Sequence, residues 1–111
     1  VVVTMTEFGR TSKENGSRGT DHAEATAMFV AEGGVKCGVY NCDKNTWKNG
    51  DMFSTNNERY LLRKTDFRSV FGEIYTDHFG NSQKQLNQVI PTYTSAKKEN
   101  PKDFNKLGLF A

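Results

Sequence analysis

Apolar residues open the chain in two short runs, Val1-Val2-Val3-Thr4-Met5-Thr6 and Ala27-Met28-Phe29-Val30-Ala31. Neither run has a helical period, both are rich in β-branched or bulky side chains, and both give way to glycine. They predict two buried strands, the first parallel to its neighbours. Between them, Thr11 to Thr20 holds no apolar residue that could anchor a packed element, so it predicts a loop, either a mobile flap or a ligand-gripping segment. Lys36 to Tyr40 reads as a short third strand or an edge. Asn41 to Asn57 reads as a polar loop in which Trp47, Met52 and Phe53 cover the core, with a partly exposed Trp47 lining a substrate cleft as the alternative.

The pattern then changes period. Phe67, Val70, Phe71, Ile74, Tyr75 and Phe79 follow the i, i+3, i+4, i+7, i+8 spacing of a helix packed on one face, which predicts a helix from about Asp66 to Phe79. Thr65 or Asp66 can cap its start and Gly80 its end. Gly72 inside the stripe predicts a close helix–sheet contact, because glycine weakens a helix interior unless something approaches it. His78 near the last turn is read as interacting with the helix dipole. Ser82 to Ile90 predicts a short helix ended by Pro91. Thr92 to Lys106 reads as an extended, solvated connection, and Leu107 to Phe110 is apolar enough to pin the end of the chain back onto the body.

The 111 residues suffice for one core. A chain that starts directly on a strand is expected to be the C-terminal part of a larger domain, or to complete its sheet by association through an exposed edge. The net charge of +2 and pI of 8.6 come from interspersed acidic and basic residues, which argues against a nucleic-acid partner, since that needs a clustered basic face. No apolar run reaches the length of a membrane span. Cys37 and Cys42 cannot complete a tetrahedral zinc site alone. They read either as a hairpin disulfide in an exported protein or as two reduced, half-buried thiols.

Candidate chemistry sits at the two strand ends: Glu7 and Arg10 after the first run, Asp21 and His22 before the second. Composition alone favours an ordinary polar loop with a salt bridge, and Asp21 can also serve as the N-cap of a short turn. The sharper reading is a divalent-metal set of Glu7, Asp21 and His22, whose oxygens and imidazole suit zinc or manganese, with Arg10 holding an anionic group bidentately. Three ligands leave the set incomplete. No G-x-S-x-G elbow, phosphate-cradling loop or dinucleotide fingerprint occurs, and nothing marks either cysteine as activated.

The series TEFGRT (Thr6 to Thr11), ENG (Glu14 to Gly16), GTDHA (Gly19 to Ala23), AMFVAEGGVKCG (Ala27 to Gly38), TDFRSVF (Thr65 to Phe71) and LGLF (Leu107 to Phe110) resembles the C-terminal part of the domain of unknown function 1501 family, a bacterial group related in fold to sulfatases and the alkaline phosphatase superfamily. The resemblance implies an α/β fold: part of a mostly parallel sheet with at least one packed amphipathic helix and a metal site at strand ends. It implies a parent that hydrolyses a phosphate or sulfate ester with a divalent metal, zinc or manganese, and an exported, periplasmic location. Glu7-Phe8 stands where the superfamily often has Asp-His, His22 where a second histidine ligand precedes a strand, and Asp21 is its companion. The nucleophile is expected upstream, so no catalytic residue is assigned here. The absent ligand at Glu7-Phe8 leaves a second expectation open, a non-catalytic binding or assembly module on the same fold.

Overall fold

The computed structural model describes residues 1–43, 51–53 and 57–110, so Trp47 lies outside the described residues. The fold is mixed α/β, and its contacts divide the chain into two units, residues 1–33 with 41–63 and residues 34–40 with 64–111.

In the first unit the chain runs out and back on itself. Strand β1 (Val2–Thr4) pairs antiparallel with β4 (Phe29–Ala31), and β2 (Gly9–Arg10) pairs antiparallel with β3 (His22–Ala23). The two ladders are the base and upper part of one long hairpin, with the polar loop at its tip. From Thr4 to Gly9 the outgoing arm advances five positions while the returning arm, Phe29 to Ala23, takes six. The extra residue interrupts the ladder in the manner of a bulge.

Parallel, fully buried strands were expected, and the structure corrects both points. A parallel crossover needs a dozen or more residues, usually including a helix; the Thr11 to Thr20 stretch has no helical pattern, so the chain can only double back. Burial fails because no described helix belongs to this unit. Val2, Thr4, Phe29 and Ala31 share one face by strand alternation and register, and Val2 and Phe29 remain 65% and 70% exposed. An apolar run has the same composition whether or not a layer covers it. Met52 and Phe53 are half-buried, and Phe53 bridges Leu61.

The second unit has the core. Helix α1 (Phe67–Glu73) starts where Asp66 accepts a hydrogen bond from the Arg68 backbone N–H, and it continues as a π-helical turn, Ile74–His78. The Asp66 carboxylate also takes both ends of the Arg68 guanidinium, at 2.8 and 2.7 Å. Val70 and Ile74 are buried as the stripe predicts, but Phe67 and Phe79 at its two ends are exposed. The wider π turn shifts every later residue around the axis, so a strict 3.6 period overshoots at Phe79.

Helix α2 (Gln83–Val89) begins with a capping box: the Ser82 hydroxyl accepts from the Gln85 N–H, and the Gln85 side chain accepts from the Ser82 N–H. After Pro91 the expected extended connection is instead helix α3 (Tyr93–Glu99) and a 3-10 turn, Pro101–Phe104. The apolar contributions are only Tyr93, Ala96 and Phe104, too sparse among Thr, Ser, Lys and Glu to show a period. They nevertheless close the core with Leu86, Tyr75 and Ile90. Lys97 and Lys98 fall in the last turn of α3, where cations suit the helix dipole.

Gly72 does mark a close approach, but to a helix rather than a sheet. A Cβ there would lie 2.6 Å from the Tyr93 ring, so the absence of a side chain lets α3 seat its tyrosine on α1. The end of the chain is pinned as expected: Leu109 is buried and Phe110 bridges Val35. Among the described residues no helix is long and apolar enough to cross a membrane.

Candidate functional site

Side chains on alternate residues of an extended arm share a face. Phe8 and Arg10 therefore point the same way, and the register Arg10↔His22 puts the imidazole beside them. The His22 ring stacks on Phe8 at 3.6 Å with 19° between the planes, while the Arg10 guanidinium lies 5.1 Å from the centre of the same ring. Arg10 Nη1 also donates to the Thr20 carbonyl at 2.8 Å. Phe8 thus acts as a platform that fixes a cation and an imidazole side by side. Gly9 permits this arrangement: a Cβ there would stand 1.7 Å from the Ala25 carbonyl oxygen, inside the returning arm.

Asp21 belongs to a different set. It precedes His22 in the extended arm, so the two side chains leave on opposite faces. Thr11 and Asp21 continue the ladder, with the Thr11 N–H donating to the Asp21 carbonyl at 3.0 Å and the Asp21 N–H to the Thr11 hydroxyl at 3.1 Å. The Asp21 carboxylate accepts from Asn15 Nδ2 at 2.9 Å and pairs with Arg59 at 2.5 Å. The Asn15 amide first, and Arg59 after it, hold the Asp21 carboxyl below the usual carboxylate range. Glu7 is exposed, at a bend between β1 and β2.

Two residues that sequence reasoning passed over organise the loop. Asn15 accepts from the N–H groups of Ser17 and Gly19, both at 3.0 Å, while its backbone closes onto Gly19 at 2.8 Å. Arg59 reaches Asp21 by its side chain and accepts from the Ser12 N–H by its carbonyl at 2.9 Å. The Ser12 hydroxyl donates to the Glu58 carbonyl, and Arg63 pairs with Glu24. The Asn15-Gly16 pair is a legible turn signal; nothing local marks Arg59, which lies far along the chain. The loop is therefore tied at several points.

Among the described residues, no three of histidine, cysteine, aspartate and glutamate group together in a way that could hold a metal ion. The structure brings Arg10 and His22 together, takes Asp21 into the loop network and leaves Glu7 outside both. These residues do not by themselves fit a metal. Cys37 and Cys42 are both exposed, and neither forms a disulfide among the described residues. His78, in the second unit, ends the π turn with its ring against Phe79 and Phe110.

A family model described as a protein of unknown function (DUF1501) matches residues 1–90. No curated protein and no solved structure gives a significant match.

Proposed function

Starting from a chain that belongs to the DUF1501 family of proteins of unknown function, we propose that it is the C-terminal segment of a sulfatase-like or phosphatase-like protein and that its hairpin supplies an anion-binding pair, Arg10 and His22. The observation that carries the reading is the shared Phe8 platform, which holds guanidinium and imidazole on one face. A phosphate or sulfate ester presents oxygens that a guanidinium can engage bidentately. As the ester bond breaks, charge on those oxygens changes, and a cation fixed beforehand stabilises it without reorganising. The imidazole beside it can donate to the same group or hold a proton for the leaving oxygen. The nucleophile comes from outside these residues. A divalent metal, zinc or manganese, belongs to the same reading for the full-length protein; when bound it would supply a Lewis acid, and His22 is the ligand this chain would offer. Asp21 and Glu7 are the weaker partners, because Asp21 is engaged by Asn15 and Arg59.

The test is Arg10→Ala in the full-length protein, read as inhibition of ester hydrolysis by inorganic phosphate or sulfate. Loss of a charge-assisted contact should weaken oxyanion binding roughly 10- to 100-fold, with Arg10→Lys recovering part of it. Unchanged inhibition removes Arg10 from the site. In the same protein His22→Ala should lower bound zinc or manganese, and unchanged metal content removes the ligand role.

A second reading, a non-catalytic binding or assembly module, is favoured by the bare face of β1 and β4, where Val2 and Phe29 stand exposed. Such a module would associate through that sheet, including with copies of itself. Full-length protein that folds, carries no zinc or manganese and turns over no ester would select this reading over the first.

A further inference from the structure

The stretch from Asn105 to Phe110 is fastened to the second unit by an unusual anchor. Glu73, on α1 and only 7% exposed, accepts hydrogen bonds from three successive backbone N–H groups: Leu107, Gly108 at 2.9 Å and Leu109 at 3.0 Å. Three consecutive amides can face one carboxylate because Gly108 takes φ 71°, the left-handed conformation that turns its neighbours' N–H groups to the same side. A concavity of this kind is an anion-binding nest. Here the anion is part of the same chain.

Other ties run along the stretch. Lys106 pairs with Asp77 at 2.9 Å, the Lys36 N–H donates to the Leu109 carbonyl at 2.8 Å, and Phe110 bridges Val35. The charge on Glu73 decides among these ties. A buried carboxylate without its donors carries a heavy desolvation cost, and buried amides without an acceptor carry a smaller one. Carboxylate and nest therefore stand or fall together. The main core cluster, Leu86, Tyr93, Ala96 and Phe104, precedes this stretch in the chain and does not include it.

We propose that residues 105–110 form a strap held shut by the Glu73 charge, and that removing this charge opens the strap as one piece, baring Leu109 and the backbone edge at residues 35–36 while the α2–α3 core stays folded.

Hydrogen exchange on the full chain carrying Glu73→Gln tests this. Glutamine keeps the shape, but it offers one acceptor oxygen and turns an NH2 group toward the nest. The amides of residues 107–109 and of Lys36 should exchange about tenfold faster or more, with residues 86–96 at the wild-type rate. Unchanged exchange at 107–109 overturns the proposal, and so does equal loss of protection at 86–96, which would make Glu73 an ordinary part of the core. Gly108→Val provides an independent arm: it leaves Glu73 in place but strains the left-handed position, and it should give the same regional pattern. If Glu73→Gln fails to fold, an unchanged 107–109 region in Gly108→Val overturns the strap.

Discussion

In the first unit the buried residues among those described are Gly9 and Thr11, a residue without a side chain and a polar one. In the second they include Val70, Ile74, Leu86, Tyr93, Ala96, Phe104 and Leu109. The first unit takes its shape from ladders, Asx-type bonds and ion pairs on a doubled-back chain. The second takes its shape from apolar area removed from water. The contrast matters because a packed core spreads its stability over many interchangeable contacts, whereas a polar hairpin depends on a few side chains whose identity is the mechanism. Candidate chemistry falls in the first unit, where Phe8, Arg10 and His22 are fixed by register rather than by a core.

The contrast breaks most sharply at Leu86, 1% exposed and the largest fully buried side chain among the described residues. Leu86→Ala should destabilise the second unit by about 2–5 kcal/mol. Because every described helix lies in that unit, the helical circular dichroism signal followed through urea denaturation isolates the effect. Gly72→Ala should cost less, about 1–3 kcal/mol, since the added methyl must displace the Tyr93 ring on which it would intrude; the same denaturation curve reads it.

In the first unit no single substitution should approach the Leu86 value. Asn15→Ala removes the acceptor for Ser17 and Gly19 and the donor to Asp21, a loss of about 1 kcal/mol, visible as faster amide exchange at those two residues while the helical signal holds. The smallest effect is on pH dependence. The Asp21 carboxyl is held below its ordinary range by Asn15 and then Arg59, so its contribution is present above that range and disappears as the pH falls through the depressed value. Carboxyl NMR of Asp21 should give a midpoint below that of an ordinary aspartate, and Asn15→Ala should raise it.

The same contrast explains what could be read without coordinates. The stripe from Phe67 to Phe79 announced α1, because packing against a core imposes a period on the chain, and the run from Ser82 to Ile90 ahead of Pro91 announced α2. Helix α3 was hidden: Tyr93, Ala96 and Phe104 do the burying while their neighbours are polar. Buried Glu73 was hidden too, since its partners are backbone groups that carry no sequence signature. In the hairpin, the position of the strands was legible but their direction was not. The grouping of site residues followed from that direction: adjacent Asp21 and His22 look like partners in a string of letters and diverge on an extended arm, while Arg10 and His22, far apart in the string, become neighbours.

The bare strand at the start of the chain has a consequence for handling the protein. From Val1 to Thr6 there is no charge, proline or glycine, and one edge of β1 has no partner strand among the described residues. Edge strands of that composition nucleate stacked cross-β assemblies unless repulsion keeps molecules apart. With a net charge of only +2 at neutrality and a pI of 8.6, colloidal repulsion vanishes in mildly alkaline buffer. A concentrated stock therefore keeps best on the acid side of neutrality, where the greater distance from the pI enlarges the net charge that holds the molecules apart.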